Sequence, residues 1–413
     1  MHRSIHGLAV LASVLMAGAP AVAQDTRPPE PSATAAAGPP NPFQRRPRLN
    51  SPERLADGRV VFRLDAPSAE TVTLSGEVGS GFASPPRGTA PPPGGPRGFT
   101  PPPPAATVVR GDHGQWTATT DQPVGPGAYR YAFQLDGIAT LDPSNLLTSS
   151  SQSDVRSLLV VPGDFSEQRN VPHGAVATVN YEAASYGPGV QRQVFVYTPP
   201  GYEKGDQAYP VLYLLHGGGD TAESWATVGR ANFIMDNLIA EQKAVPFIVV
   251  MMSGWTPLGP QSESVDAAND PFNAEFVNDI VPMIQDRYRV QADPADRALS
   301  GLSMGGFQTL TLGIKNLDMF DYVLPMSTGW HTPEQAAAFV EANRANIARA
   351  DQGLKLFWWG YGETDIAKEN GLRAMTALRA AGLTRIETKV TPSGHDWVSW
   401  RAMLHEVAQK LFR

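Results

Sequence analysis

The sequence predicts an α/β fold, a mostly parallel sheet covered by helices on both faces, preceded by a small Ig-like β-sandwich. Three observations carry that expectation. From about Phe165 onward, short apolar runs alternate with amphipathic stretches of helical period. Between about Ser51 and Asp164, alternating runs instead follow one another with only Gly, Pro or Asp between them. In "RALSGLSMGG" an apolar run ends at a serine flanked by glycines, and a helical pattern starts at once behind it.

The chain opens on "MHRSIHGLAVLASVLMAGAPAVAQ", with one Arg and two His early and an apolar run from Leu8 to about Met16. It ends in Ala21-Val22-Ala23, so residues 1–23 read as a cleavable export signal. The run is shorter than the ~20 residues a membrane span needs, and no later run is long enough. A secreted or periplasmic protein is expected. Residues 24–50 are rich in Pro and Ala and read as a flexible linker.

In 51–164, "GRVVFRLDAP", "ETVTLSGEV", "GQWTATTD", "GAYRYAFQLDG" and "RSLLVVPG" are the predicted sandwich strands. The stretch 83–106 is dense in Pro and Gly, cannot supply central strands, and reads as an exposed loop. In 165–413 the predicted strands are "RQVFVYTPPGY", "YPVLYLLHGGG", "PFIVVMMSG", "RALSGLSMGG", "FDYVLPMSTG", "KLFWWGYGE" and "RIETKVTPSG", with amphipathic helices between them.

Bulk properties exclude some functions. The 413 residues are 42% hydrophobic and 18% charged, with a net charge of −7. Nucleic acid and anionic membranes call for basic patches, which this balance argues against. With no cysteine in the chain, thiol catalysis and Cys-ligated metals are ruled out. No clustered His, Asp and Glu set has metal-ligand spacing, so no metal or cofactor is implied.

The chemistry centres on Ser303. Gly301-x-Ser303-x-Gly305 between a buried strand and a helix is the context of a nucleophile elbow. The turn demands strained backbone and close strand–helix approach, so its flanking side chains must be tiny. It also sets the hydroxyl at a helix N-terminus, where free N–H groups favour negative charge. A serine needs a base to take its proton. After Ser303 come His331, His395 and His405. His405 lies inside the last helical pattern, and His331 precedes any suitable acid. His395, in "TPSGHDWVSW", sits on a loop behind the last strand, where open α/β sheets place their chemistry. The orienting acid should lie behind the preceding strand, which leaves Glu363 and Asp365. Oxyanion donors should come from the N–H of Met304 and from the "HGGG" turn, at Gly217 or, preferably, Gly218. His216 reads as a structural partner. Trp225, Trp255, Trp330 and Trp397 fall on predicted loops near the catalytic edge, as pocket-lining or buried side chains.

The motifs "YPVLYLLHGGGDTAESW", "DIVPMIQDRYRV", "RALSGLSMGG", "GYGETD" and "PSGHDWVSWRAML" together resemble an esterase family of α/β-hydrolases. That family includes carbohydrate esterase family 1 feruloyl and acetylxylan esterases and enterochelin-esterase-like proteins. The resemblance covers about Val190 to Phe412. It places the nucleophile on Ser303, the base on His395 and the acid on Asp365. Ahead of it, "GQWTATTDQPVGPGAYRYAFQLDGIATLDPSN" and "LLVVPG" resemble E-set domains related to carbohydrate-binding module family 48. There Trp116, Tyr129 and Tyr131 are candidates for a sugar-stacking face, or else core aromatics. What the resemblance implies is hydrolysis of an ester substrate, most naturally feruloyl or acetyl groups on plant cell-wall carbohydrate. The alternatives are a siderophore esterase and, from another class, a non-catalytic carbohydrate-binding protein.

Overall fold

The computed structural model describes residues 48–77, 108–258 and 271–413. The expected leader (1–23), the linker up to residue 47 and the Pro-rich loop (83–106) lie outside them.

The alternating runs of the first part form two antiparallel sheets. One holds β1 (Glu53–Arg54), β2 (Val60–Asp65), β5 (Gln115–Thr119) and β4 (Val108–Arg110) in the order β1-β2-β5-β4. The other holds β3 (Val72–Gly76), β6 (Gly127–Leu135), β9 (Val155–Val161) and β8 (Thr148–Ser150) in the order β3-β6-β9-β8, with β7 (Ile138–Thr140) paired to β6. Phe62, Leu64 and Leu74 pack between the sheets with Tyr129, Tyr131 and Phe133. The strand period of two sends Ala128 of β6 and Leu158 of β9 to the opposite face, into the core of the second part. β6 is thus covered on both faces, which is why "GAYRYAF" is buried throughout.

The second part is built on eight strands: β10 (Ala175–Glu182), β11 (Gln191–Thr198), β12 (Val211–Leu215), β13 (Ile248–Met252), β14 (Arg297–Leu302), β15 (Tyr322–Met326), β16 (Leu356–Gly362) and β17 (Ile386–Thr391). Their order is β10-β11-β13-β12-β14-β15-β16-β17. β10 and β11 pair antiparallel, as do β11 and β13, and all later neighbours are parallel. β10 escaped the sequence reading because it is an edge strand whose side chains are mostly exposed, so it lacks an apolar run.

Helices cover both faces. They are α1 (Ala231–Ala240), α2 (Pro271–Glu275), α3 (Val281–Arg287), α4 (Met304–Lys315), α5 (Pro333–Gly353), α6 (Lys368–Ala380) and α7 (Trp397–Ala408). A π-helical turn, Phe276–Ile280, joins α2 to α3. Along β12, Val211, Tyr213 and Leu215 enter the core under α2 to α6, while Leu212 and Leu214 enter the core under α1 and α7. Both faces being apolar explains why these strands read as unbroken hydrophobic runs. Among the described residues, no helix is long and apolar enough to cross a membrane.

Candidate active site

Ser303, Met304, Asp365, His395 and the "HGGG" turn lie at one edge of the sheet, behind the C-terminal ends of β12, β14, β16 and β17. In a parallel sheet that edge gathers the helix N-termini and the free ends of the strands.

Ser303 stands between β14 and α4 with φ 53° and ψ −113°, a conformation costly for a side-chain-bearing residue. Its neighbours explain the glycines. A Cβ on Gly301 would lie 2.5 Å from the Gly305 carbonyl oxygen and 2.7 Å from Leu215 Cβ. One on Gly305 would lie 2.4 Å from the His216 carbonyl oxygen, and one on Gly306 2.5 Å from that of Met326. The helix can approach β12 and β15 this closely only without side chains. The Ser303 N–H donates to the Met326 carbonyl at 2.9 Å, and the Gly305 N–H to that of His216 at 3.1 Å.

His395 meets Ser303 from the other side. Its Nε2 lies 3.0 Å from Ser303 Oγ, and its Nδ1 lies 2.8 Å from Asp365 Oδ1. The tautomer with the proton on Nδ1 donates to the carboxylate and leaves Nε2 to accept from the hydroxyl. Of the two acids left open by spacing, Asp365 is therefore the one joined to His395. Glu363 is exposed and paired with Lys368 at 2.8 Å. His331 forms part of the cleft wall, and His405 packs on Phe165, with ring centroids 4.3 Å apart.

Several groups fix this chain of contacts. A Cβ on Gly362 would lie 2.4 Å from the Ser393 carbonyl oxygen, so only glycine lets the acid turn meet the histidine loop. Asp396 caps α7 through the Ser399 N–H at 2.9 Å and accepts from Ser393 Oγ at 2.6 Å and the Gly394 N–H at 3.0 Å, clamping the residues around His395. The Trp400 ring meets His395 edge-on at 5.1 Å. Its indole N–H donates to Ser327 Oγ at 2.9 Å, and the Ser327 hydroxyl in turn bonds to Asp365. Burial pushes the Asp365 carboxyl up, but the bonds from His395, Ser327 and the Ala367 N–H, with the His395 charge, outweigh it and hold the group below the usual carboxylate range.

The "HGGG" turn lies against the elbow. A Cβ on Gly217 would stand 3.3 Å from Ser303 Cβ, and one on Gly218 would stand 3.9 Å from Met304 Cβ. His216 is buried. Its Nδ1 lies 2.7 Å from the Gly217 carbonyl oxygen, and its Nε2 accepts from the Gly254 N–H at 3.3 Å. Burial lowers its affinity for a second proton, so the neutral ring is the stable form.

Beside Ser303 opens a cleft of about 200 Å³, lined by Ser303, Met304, Phe307, Ser327, Thr328, Gly329, His331, Gln335, Ala367 and Asn370. Its far wall is polar: His331 Nδ1 lies 3.2 Å from Asn370 Nδ2. None of these lining residues is Lys or Arg. Trp225, Trp330 and Trp397 are buried, and only Trp255 of the four loop tryptophans is partly exposed, beside Gly218. Trp116, Tyr129 and Tyr131 are buried at 6%, 2% and 0% exposure, so they belong to the sandwich core and present no sugar-stacking face. Among the described residues, no group of three or more His, Asp or Glu could hold a metal ion.

Sequence reasoning missed Ser327, Asp396 and Trp400. The signal available for Asp396 was its position as a helix N-cap, two residues after a glycine. Ser327 and Trp400 come together from separate elements and leave no local pattern.

Comparison with known proteins agrees with this architecture. The Putative esterase family profile matches residues 185–411. An endo-1,4-beta-xylanase/feruloyl esterase of Xylanibacter ruminicola is 31% identical over 385 residues, which is 91% of this chain and 47% of that protein. The chain thus spans about half the length of that relative. The enterobactin esterase of Shigella flexneri aligns over 85% of this chain and 92% of its own, with a TM-score of 0.57 and 17% identity. A feruloyl esterase module of Clostridium thermocellum aligns over 61% of this chain and 93% of its own, with a TM-score of 0.51 and 20% identity. At these identities the two solved structures speak for the fold. The family match covers more than half of the chain, which therefore belongs to the Putative esterase family and has an α/β-hydrolase fold.

Proposed function

We propose that Ser303 is the nucleophile, His395 the general base and acid, and Asp365 the group that orients the imidazole. The observation that carries this reading is the unbroken contact chain Ser303–His395–Asp365, opening on the cleft. As Ser303 Oγ attacks the ester carbonyl carbon, His395 Nε2 takes the hydroxyl proton. The carbonyl π electrons move to oxygen, and the N–H groups of Met304 and Gly218 hold that oxyanion. Collapse breaks the bond to the alcohol oxygen, which leaves with the proton from His395. Water then attacks the acyl-enzyme through the same base and frees the acid. Asp365 stabilises the imidazolium without taking its proton.

The proposed substrates are feruloyl or related hydroxycinnamoyl esters, or acetyl esters, on plant cell-wall xylan, met outside the cytoplasm. The 31% identical relative, similar along nearly the whole chain, supports the feruloyl reading. The cleft beside Ser303, walled by Phe307 and by the His331–Asn370 contact, is consistent with a neutral acyl group. A triscatecholate siderophore is anionic in its metal-bound form and calls for cations, and the lining residues include no Lys or Arg. Turnover of methyl ferulate, 4-nitrophenyl acetate and a triscatecholate lactone, each with Ser303→Ala as control, tests the proposal. Ferulate hydrolysis that disappears in the variant is expected. Acetate hydrolysis alone would point to a deacetylase, and lactone hydrolysis alone would replace the plant-polysaccharide reading by siderophore cleavage.

A further inference from the structure

The His216–Asp220 turn has a structural difficulty. Gly217, Gly218 and Gly219 carry no side chains, and glycine is the residue with most backbone freedom to lose. An oxyanion donor must nevertheless be held in a fixed direction before the reaction starts. The α/β part holds the start of the turn, through His216 and the Gly305 N–H. The far end is gripped by the β-sandwich.

Arg130, on β6, makes that grip. Its Nη1 donates to Asp220 Oδ1 at 2.6 Å, and both side chains are buried. Its Nη2 donates to Ser224 Oγ at 2.8 Å and to the Ser150 carbonyl at 2.9 Å, and its Nε to Ser149 Oγ at 3.0 Å. Beside it, the Gln152 N–H of the sandwich donates to the Gly219 carbonyl at 3.0 Å. Asp220 passes the restraint on, because its own N–H closes the turn onto the Gly217 carbonyl at 3.0 Å. The same strand also reaches the histidine side of the site. The Arg130 guanidinium lies 5.9 Å from the Trp397 ring centroid, two residues beyond His395, and Arg401 of α7 donates to the Ala128 carbonyl at 3.0 Å.

We propose that the β-sandwich is a working part of the active site, with Arg130 as a positioning residue that fixes the oxyanion turn through Asp220. The proposal rests on the catalytic roles given above. The face of β6 and β9 turned to the α/β part carries Ala128, Arg130 and Leu158.

The test compares Arg130→Met, Arg130→Lys and Asp220→Asn with Leu158→Ala, which weakens the packing of the sandwich on the α/β part without altering the hydrogen bonds to the turn. Each full-length variant is assayed on an aryl ester, with active sites counted by fluorophosphonate titration. Affinity for an arylboronate, which forms a tetrahedral adduct on serine, is measured beside affinity for the carboxylate product. The expected result for Arg130→Met and Asp220→Asn is a kcat at least about tenfold lower, and at most the roughly hundred- to thousandfold that outright loss of an oxyanion donor costs. KM and product binding should stay within about twofold, and arylboronate affinity should fall in step with kcat. Arg130→Lys should be intermediate, since an ammonium can replace only part of the fork. Leu158→Ala should lower the melting temperature and leave kcat per titrated site unchanged. Wild-type kcat in both Arg130→Met and Asp220→Asn, or an equal kcat loss in Leu158→Ala, would overturn the brace. Absence of both turnover and labelling in the wild type would instead overturn the catalytic reading, and the brace with it.

Discussion

Replacing Gly305 by Ala adds one methyl group at the tightest point of the elbow. The new Cβ would stand 2.4 Å from the His216 carbonyl oxygen and 2.6 Å from Leu215 Cβ, and neither contact can be relieved by a flexible side chain. Separations under 3.0 Å are essentially never adopted, so α4 must withdraw from β12 by about 0.6 Å or more. Overpacking of this kind costs about 1–3 kcal/mol, and the better helix propensity of Ala returns at most about 1 kcal/mol. The functional effect should exceed the structural one. Ser303 and Met304 ride on the N-terminus of α4, whereas His395 rides on the loop before α7 and Gly218 on the loop after β12. A shift of the helix therefore opens the serine–histidine contact and the oxyanion site together. Misplacement on the order of 1 Å costs about a hundredfold in rate, so kcat should fall by about ten- to a hundredfold. Steady-state hydrolysis of 4-nitrophenyl acetate, beside urea unfolding, measures both. Gly353→Ala is the control, since nothing lies within 4 Å of its added Cβ. A Gly305→Ala enzyme with wild-type kcat would refute the view that close helix–strand approach sets the geometry of the site.

Asp365→Asn should leave the fold in place and lower kcat by about 10⁴, because the amide cannot hold the imidazole in the required tautomer; a loss below about tenfold in steady-state kinetics would remove Asp365 from its role. Trp400→Phe keeps a ring against His395 but deletes the donor to Ser327 Oγ, so urea unfolding should show a loss of about 1 kcal/mol, with kcat several-fold lower. Acid should weaken the protein in two windows. Burial holds His216 below its ordinary range, so the unfolded chain takes up more protons than the native one, and stability falls as pH drops through about 6.5. Asp365 is held below its ordinary value, so its contribution is complete above about pH 3.9 and is lost as pH falls through its lower native value. Melting temperatures from pH 8 to 3 read both windows, and His216→Gln should flatten the first; an unchanged slope there would count against the buried neutral imidazole.

How much of this was legible in the sequence depended on whether a feature is local. The strands β12 to β15 announced themselves because both faces of a parallel sheet are apolar, and the elbow because its glycines are forced by contacts only a few residues away. Ser303 and His395 could be singled out by element order alone. Asp365 could not be separated from Glu363 by spacing, since both follow β16; what separates them is that Asp365 turns inward to His395 while Glu363 faces solvent beside Lys368. Edge strand β10 was hidden by its exposed side chains. The Ser327–Trp400 contact joins residues 73 apart, and the Arg130–Asp220 pair joins residues 90 apart, so neither leaves a pattern in any window of the chain. Arg130 in "YRYAF" meets its partners only because the second face of β6 is covered by the α/β part.

The most direct test of the central claim is covalent capture. The wild-type protein is treated with a fluorophosphonate, digested and examined by mass spectrometry while ester turnover is followed in parallel. The account predicts one adduct per chain, on the peptide containing Ser303, formed in step with the loss of turnover and absent from Ser303→Ala. An adduct on another residue, or ester hydrolysis that persists in Ser303→Ala, would contradict it.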